Sequence, residues 1–138
     1  MAERRPDGFV DTSVFIRFFT RDDETRAERA RALLEAADTG DVTLHVNHLS
    51  FAEIAYALRS QYGLPRASIA ERLQDLLDVR GIKVPDKPLI ASAIELYADR
   101  STDFGDAYFV ADMRKRRLRS IYAYDSDYDK LGVRRIEP

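Results

Sequence analysis

Four carboxylates draw attention by their settings: Asp11 behind the apolar run Gly8-Phe9-Val10, Glu53 in Ser50-Phe51-Ala52-Glu53, Asp106 in Asp103-Phe104-Gly105-Asp106-Ala107, and Asp125 behind Tyr122-Ala123-Tyr124. Gathered in one pocket, such acids disfavour one another's ionised form, and a divalent cation relieves the repulsion. All-oxygen ligation suits Mg²⁺ or Mn²⁺, which bind substrate phosphate, orient a water and lower its pKa. The chemistry implied is hydrolysis of a phosphodiester. The absence of cysteine excludes disulfides, thiolate zinc sites and Cys nucleophiles, and His45 and His48 alone leave little for a His-rich metal site.

The elements that must position these acids follow from periodicity. Gly8-Phe9-Val10 reads as a short buried strand ended by Asp11, with a helix over Val14 to Phe19. Asp22, Asp23 and Glu24 open an amphipathic helix carrying Ala27, Ala30, Leu33, Leu34 and Ala37, with Gly40 just beyond it. Val42 to Val46 predicts a second strand, Leu49 to Gln61 a helix stopped by Gly63, and Ile69, Leu73, Leu76 and Leu77 a helix stopped by Gly81. Pro65 suits that helix's first turn. A strand over Ile82 to Val84, a helix through Ala93, Leu96 and Tyr97, and a helix from about Gly105 to Arg117 come next. Ser120 to Tyr124 reads as a strand, Asp127 to Leu131 as a helical turn and Val133 to Ile136 as a last strand. Strands separated by helices imply right-handed crossovers and a mainly parallel central sheet of about five strands, covered on both faces: a three-layer α/β/α arrangement. In such a sheet the functional crevice lies beyond the carboxyl ends of the strands, where Asp11 and Asp125 fall. Glu53 and Asp106, near helix starts, can point to the same edge.

Each acid also has a purely local explanation. Asp11 can begin the turn after a strand, and Asp125-Ser126-Asp127-Tyr128-Asp129 can be a solvated turn. Ser50 and Glu53 match the S-x-x-E capping box, and Asp103 can N-cap a helix whose first turn holds Asp106. Singly, none is diagnostic.

Their order is more specific. Gly8-Phe9-Val10-Asp11-Thr12-Ser13, Ser50-Phe51-Ala52-Glu53-Ile54, Asp103-Phe104-Gly105-Asp106-Ala107 and Tyr122-Ala123-Tyr124-Asp125-Ser126-Asp127-Tyr128 resemble, in that order, the motifs of PIN-domain nucleases, and most closely those of VapC-type toxins of bacterial toxin–antitoxin pairs. The resemblance runs over residues 8–138, nearly the whole chain, and implies a single PIN-like domain over 1–138. It implies that Asp11, Glu53, Asp106 and Asp125 surround a Mg²⁺ or Mn²⁺ site that activates water against RNA, with Ser13 orienting Asp11 or substrate. Asp103, an additional acid, falls behind the ligands or at an N-cap. Ala123 stands where such toxins often carry Thr, and Asp127 competes with Asp125 as the fourth acid. The resemblance further implies a cognate antitoxin that holds the ribonuclease inactive, and a homodimer.

Composition sets the outer bounds. The 138 residues suit one compact domain; 45% are apolar and 33% charged, which excludes disorder. No apolar stretch is long enough to span a bilayer, and MAERRPDGFVDTS lacks the apolar segment of a signal peptide, so a cytoplasmic protein without membrane attachment is expected. The net charge of −2 gives no global basic field, although an acidic nuclease can rely on cations where the phosphate sits. The densest basic run, Arg114 to Arg119, suits a helix C-terminus as well as an RNA backbone. Asp125, Asp127 and Asp129 imitate a calcium loop, but Lys130 and Ile136 replace its Gly and Glu. Glycine-rich nucleotide motifs are missing. The rival reading is a receiver-like α/β module that holds metal or a partner without cleaving anything.

Overall fold

The computed structural model describes residues 5–138; residues 1–4 of the expected 1–138 domain lie outside the described residues. The order of elements matches the sequence reading, and the chain forms two compact units, one through Pro85 and one from Asp86 to Pro138. Both are α/β, and every strand pairing is parallel.

In the first unit, β1 (Gly8–Phe9), β2 (Leu44–His45) and β3 (Ile82–Lys83) form a sheet in that order. The registers Gly8↔Leu44 and Leu44↔Ile82 align the carboxyl ends of all three strands. The strands are shorter than their apolar runs, yet the extended backbone continues: Val10 N–H donates to His45 O at 3.0 Å and Val46 N–H to Lys83 O at 3.0 Å. Val10, Val42, Val46 and Ile82 are buried, as expected of strands covered by helices.

Four helices accompany this sheet: α1 (Thr12–Thr20), α2 (Glu24–Asp38), α3 (His48–Ser60) and α4 (Arg66–Asp78). Their cores are one-sided stripes, such as Ala27, Ala30, Leu34 and Ala37 on α2 and Ile69, Leu73, Leu76 and Leu77 on α4. Asp23 caps α2 by accepting from Arg26 N–H at 3.1 Å, and Pro65 stands at the N-cap position of α4. Gly81, at the entry to β3, sits so close to backbone that a Cβ there would lie 2.7 Å from Val42 O and overlap Ala37 O. Only glycine fits this approach of chain to chain.

In the second unit, α5 (Lys87–Asp99) packs on α6 (Phe104–Lys115), and Tyr97 meets Phe104 edge-to-face with ring centroids 5.8 Å apart. The strands β4 (Ser120–Tyr122) and β5 (Arg134–Ile136) pair with Ser120↔Arg134 and Tyr122↔Ile136. A 3₁₀ helix, Ser126–Leu131, connects them and buries Tyr128 and Leu131. The end of α6 is a Schellman-type stop, with Leu118 N–H on Met113 O and Arg117 N–H on Arg114 O, and Arg117 in the left-handed region at φ 59°. Among the described residues no helix is long and apolar enough to cross a membrane.

Candidate active site

The sheet of the first unit delivers Asp11 to its carboxyl edge. Two residues past β1, Asp11 leaves the strand in an extended conformation and becomes the N-cap of α1. Its Oδ2 accepts from the Ser13 hydroxyl at 2.5 Å and from Ser13 N–H at 3.2 Å, which holds the exposed carboxyl below the usual carboxylate range. Ser13 thus fixes the orientation of Asp11, one of the two roles expected of it.

In-register pairing puts Asn47, two residues past β2, at the same sheet edge as Asp11. Asn47 is the N-cap position of α3, so Ser50 lies inside the helix rather than at its start, and the capping box suggested by Ser50 and Glu53 is not formed. The reason is that the helix begins at His48, three residues too early for Ser50 to cap it. Glu53 instead stands exposed well into α3, without an ion-pair partner among the described residues. The His48 ring is bonded to Pro85 O, just past β3, a structural role for that histidine.

The remaining acids belong to the second unit. Asp103 is at the N-cap position of α6 but makes no side-chain cap, and Asp106 lies in the helix's first turn, half-buried. Both oxygens of Asp106 are engaged by hydroxyls: Tyr128 donates to Oδ1 at 2.8 Å and Thr102 to Oδ2 at 3.4 Å. Burial first, then the hydrogen bond to Asp106 and the charges of Asp106, Asp125 and Asp103, push the Tyr128 phenol well above the ordinary tyrosine value. Tyr128 therefore stays a donor throughout the usable pH range. Neither Tyr128 nor Thr102 is legible as a site residue in the sequence, because each acts only through the carboxylate it touches.

Asp125 N-caps the 3₁₀ helix by accepting from Asp127 N–H at 2.8 Å through Oδ1, so the turn role suggested by its sequence is real. Asp127, its competitor, is ion-paired with Lys130 at 3.3 Å, whereas Asp125 has no cation partner among the described residues. The basic run is partly committed as well: Arg114 donates to Leu131 O, Lys115 pairs with Asp86 and Arg116 with Asp112.

Asp11 and Glu53 in the first unit and Asp106 and Asp125 in the second each lack an ion-pair partner among the described residues, and carboxylate oxygen is the ligand type that hard divalent cations take. Among the described residues, no three His, Cys, Asp or Glu side chains are grouped closely enough to hold a metal ion as they stand.

No curated protein matches the sequence. The family model for the PIN domain matches residues 8–133, and PIN domains are generally nucleases that bind divalent metal ions. The match spans the first strand, all six helices and the 3₁₀ turn, so the chain belongs to the PIN domain family.

Proposed function

We propose that the protein is a Mg²⁺- or Mn²⁺-dependent endoribonuclease and the toxin of a type II toxin–antitoxin pair, acting as a single domain. The reading is supported above all by the motif acids. All four stand in the order of the PIN-domain motifs, and none is neutralised by an ion pair among the described residues. The toxin role and the choice of RNA rest on the resemblance of the four motifs to VapC-type toxins.

In this reading Asp11, Glu53, Asp106 and Asp125 hold the metal, which supplies a water of lowered pKa and positive charge against the phosphate. The chain's own contributions are orientation and charge state. Ser13 keeps Asp11 ionised and pointed by two hydrogen bonds. Tyr128 and Thr102 hold Asp106 from both oxygens, and as neutral hydroxyls they leave its negative charge intact. Asp103 adds negative charge at the same helix start. The partners in this reading are an RNA substrate, a cognate antitoxin and a second copy of the chain.

The test is cleavage of RNA by the purified chain with Mg²⁺, Mn²⁺ or EDTA, alongside Asp11→Asn and Asp106→Asn. Metal-dependent cutting that falls by roughly 10²–10³ in both variants is the expected result. Cutting that survives EDTA, or near-normal cutting by either variant, overturns the assignment. Growth arrest on expression, relieved by Asp11→Asn, tests the toxin role separately.

A further inference from the structure

The first unit carries a groove of about 410 Å³ between α1 and α2. Ser13, Val14 and Arg17 line it from α1, and Arg26, Arg29, Ala30 and Leu33 from α2. Three guanidinium groups face the groove and no acid lines it.

The glutamates of α2 are taken by arginines outside the groove. Glu24, Glu28 and Glu35 are all engaged by Arg21 and Arg31, which do not line the groove. Arg26 meets only the N-cap Asp23, at 3.5 Å, and Arg17 meets Asp22 at 3.3 Å, a carboxylate that also accepts from Tyr62 and Thr20. Arg29 has no acidic partner among the described residues. Arg26 and Arg29 are one helical turn apart, with Cβ atoms about 5–6 Å from each other. Arg17 is one turn along α1 from Ser13, the residue that grips Asp11. Between the cations lies an apolar floor of Val14, Ala30 and Leu33.

Guanidinium groups bind phosphate bidentately and stack on bases, and an apolar floor accepts sugar and base faces. We propose that this groove holds the backbone of single-stranded RNA where the strand runs away from Asp11, with Arg17, Arg26 and Arg29 contacting its phosphates. The proposal rests on the ribonuclease reading, to which it adds a substrate path.

The experiment measures binding of a fluorescent single-stranded RNA of mixed sequence in EDTA across a salt series. The protein is the full chain carrying Asp11→Asn, alone and with Arg26→Ala plus Arg29→Ala, Arg29→Lys, or Arg80→Ala, an exposed arginine outside the groove. The double variant is expected to bind at least about tenfold more weakly, with a slope of log K against log salt shallower by about 1.4, that is ~0.7 per lost phosphate contact. Arg29→Lys should keep the slope and Arg80→Ala should keep both slope and affinity. Far-ultraviolet circular dichroism establishes that the double variant folds, as expected for alanine at exposed helix positions. Unchanged affinity and slope in a folded double variant overturns the groove. Metal-dependent cleavage by the same arginine variants in an otherwise unaltered chain separates the two readings. If the unaltered chain cuts RNA and the double variant cuts with unchanged KM, the groove falls while the ribonuclease stands. If the unaltered chain cuts nothing but arginine-dependent binding persists, the groove stands and the ribonuclease falls.

Discussion

Tyr128 donates its phenolic hydrogen to Oδ1 of Asp106 across 2.8 Å, joining the 3₁₀ turn after β4 to the first turn of α6. A buried phenol bonded to a carboxylate is a neutral donor that orients it without cancelling its charge. A lysine in its place would neutralise Asp106 and compete with a metal ion.

Removing that donor should therefore impair the reaction more than the fold. Tyr128→Phe is expected to lower metal-dependent cleavage about 10- to 100-fold, as loss of a group orienting a metal-binding carboxylate does. Its cost in stability should be only about 1 kcal/mol, because the ring still fills its place. Single-turnover cleavage and urea denaturation measure the two effects; a variant that cuts at the normal rate removes Tyr128 from the site.

The two acids of the fourth motif should separate on substitution. Asp125→Asn is expected to reduce cleavage by roughly two orders of magnitude or more. Asp127→Asn, which loses only an exposed pair with Lys130, should remain within severalfold of normal and shift stability by less than about 1 kcal/mol. The opposite ranking in a cleavage assay would make Asp127 the fourth acid.

Away from the site, Asp22 accepts from Tyr62 at 3.0 Å and from Thr20 at 3.0 Å, and these bonds, with Arg17, hold its carboxyl below the usual range. A carboxyl depressed in the folded state contributes stability above its unfolded pKa, and that contribution is lost as pH falls through the folded value. Tyr62→Phe should therefore lower stability at neutral pH and flatten the loss of stability on acidification. Thermal melts between neutral pH and about pH 3, spanning the unfolded aspartate range, follow both effects.

Gly81→Ala should be among the most disruptive small substitutions in the first unit. The added methyl would meet backbone atoms of Ala37 and Val42 rather than flexible side-chain ends, so relief requires moving α2 or the start of β3. A loss of about 3 kcal/mol is expected, at the upper end for overpacking, and chemical denaturation reads it directly. Gly8→Ala, where a Cβ would meet nothing within 4 Å, is the matched control and should be nearly neutral.

Much of the architecture was legible before any coordinates. The order of strands and helices follows from one-sided apolar stripes and from turn residues, and stripes such as Ile69, Leu73, Leu76 and Leu77 are the buried face of α4. Local patterns misled where two caps were chemically acceptable. Ser50 and Glu53 satisfy the capping-box spacing, but Asn47 starts α3 a turn earlier, and the choice is made by where β2 releases the chain. The regular strands are shorter than their apolar runs: apolar character over Val42 to Val46 reports burial, and the inter-strand bonds reach Val46 although paired strand residues are only Leu44 and His45.

The sequence by itself determined the types and order of the acids, the placement of Asp11 just past a strand and of Asp106 in the first turn of a helix, and thereby membership of the PIN domain family. Tertiary structure alone decided the partners of each charge: that Tyr128, 22 residues on, orients Asp106; that Lys130 neutralises Asp127 and spares Asp125; and that Arg26 and Arg29 look into a groove while Arg21 and Arg31 neutralise the glutamates of α2. Residue type and spacing set which interactions a short stretch can make. The interaction energy of two charged or polar groups falls with their separation in space, and that separation is fixed only when the chain has folded.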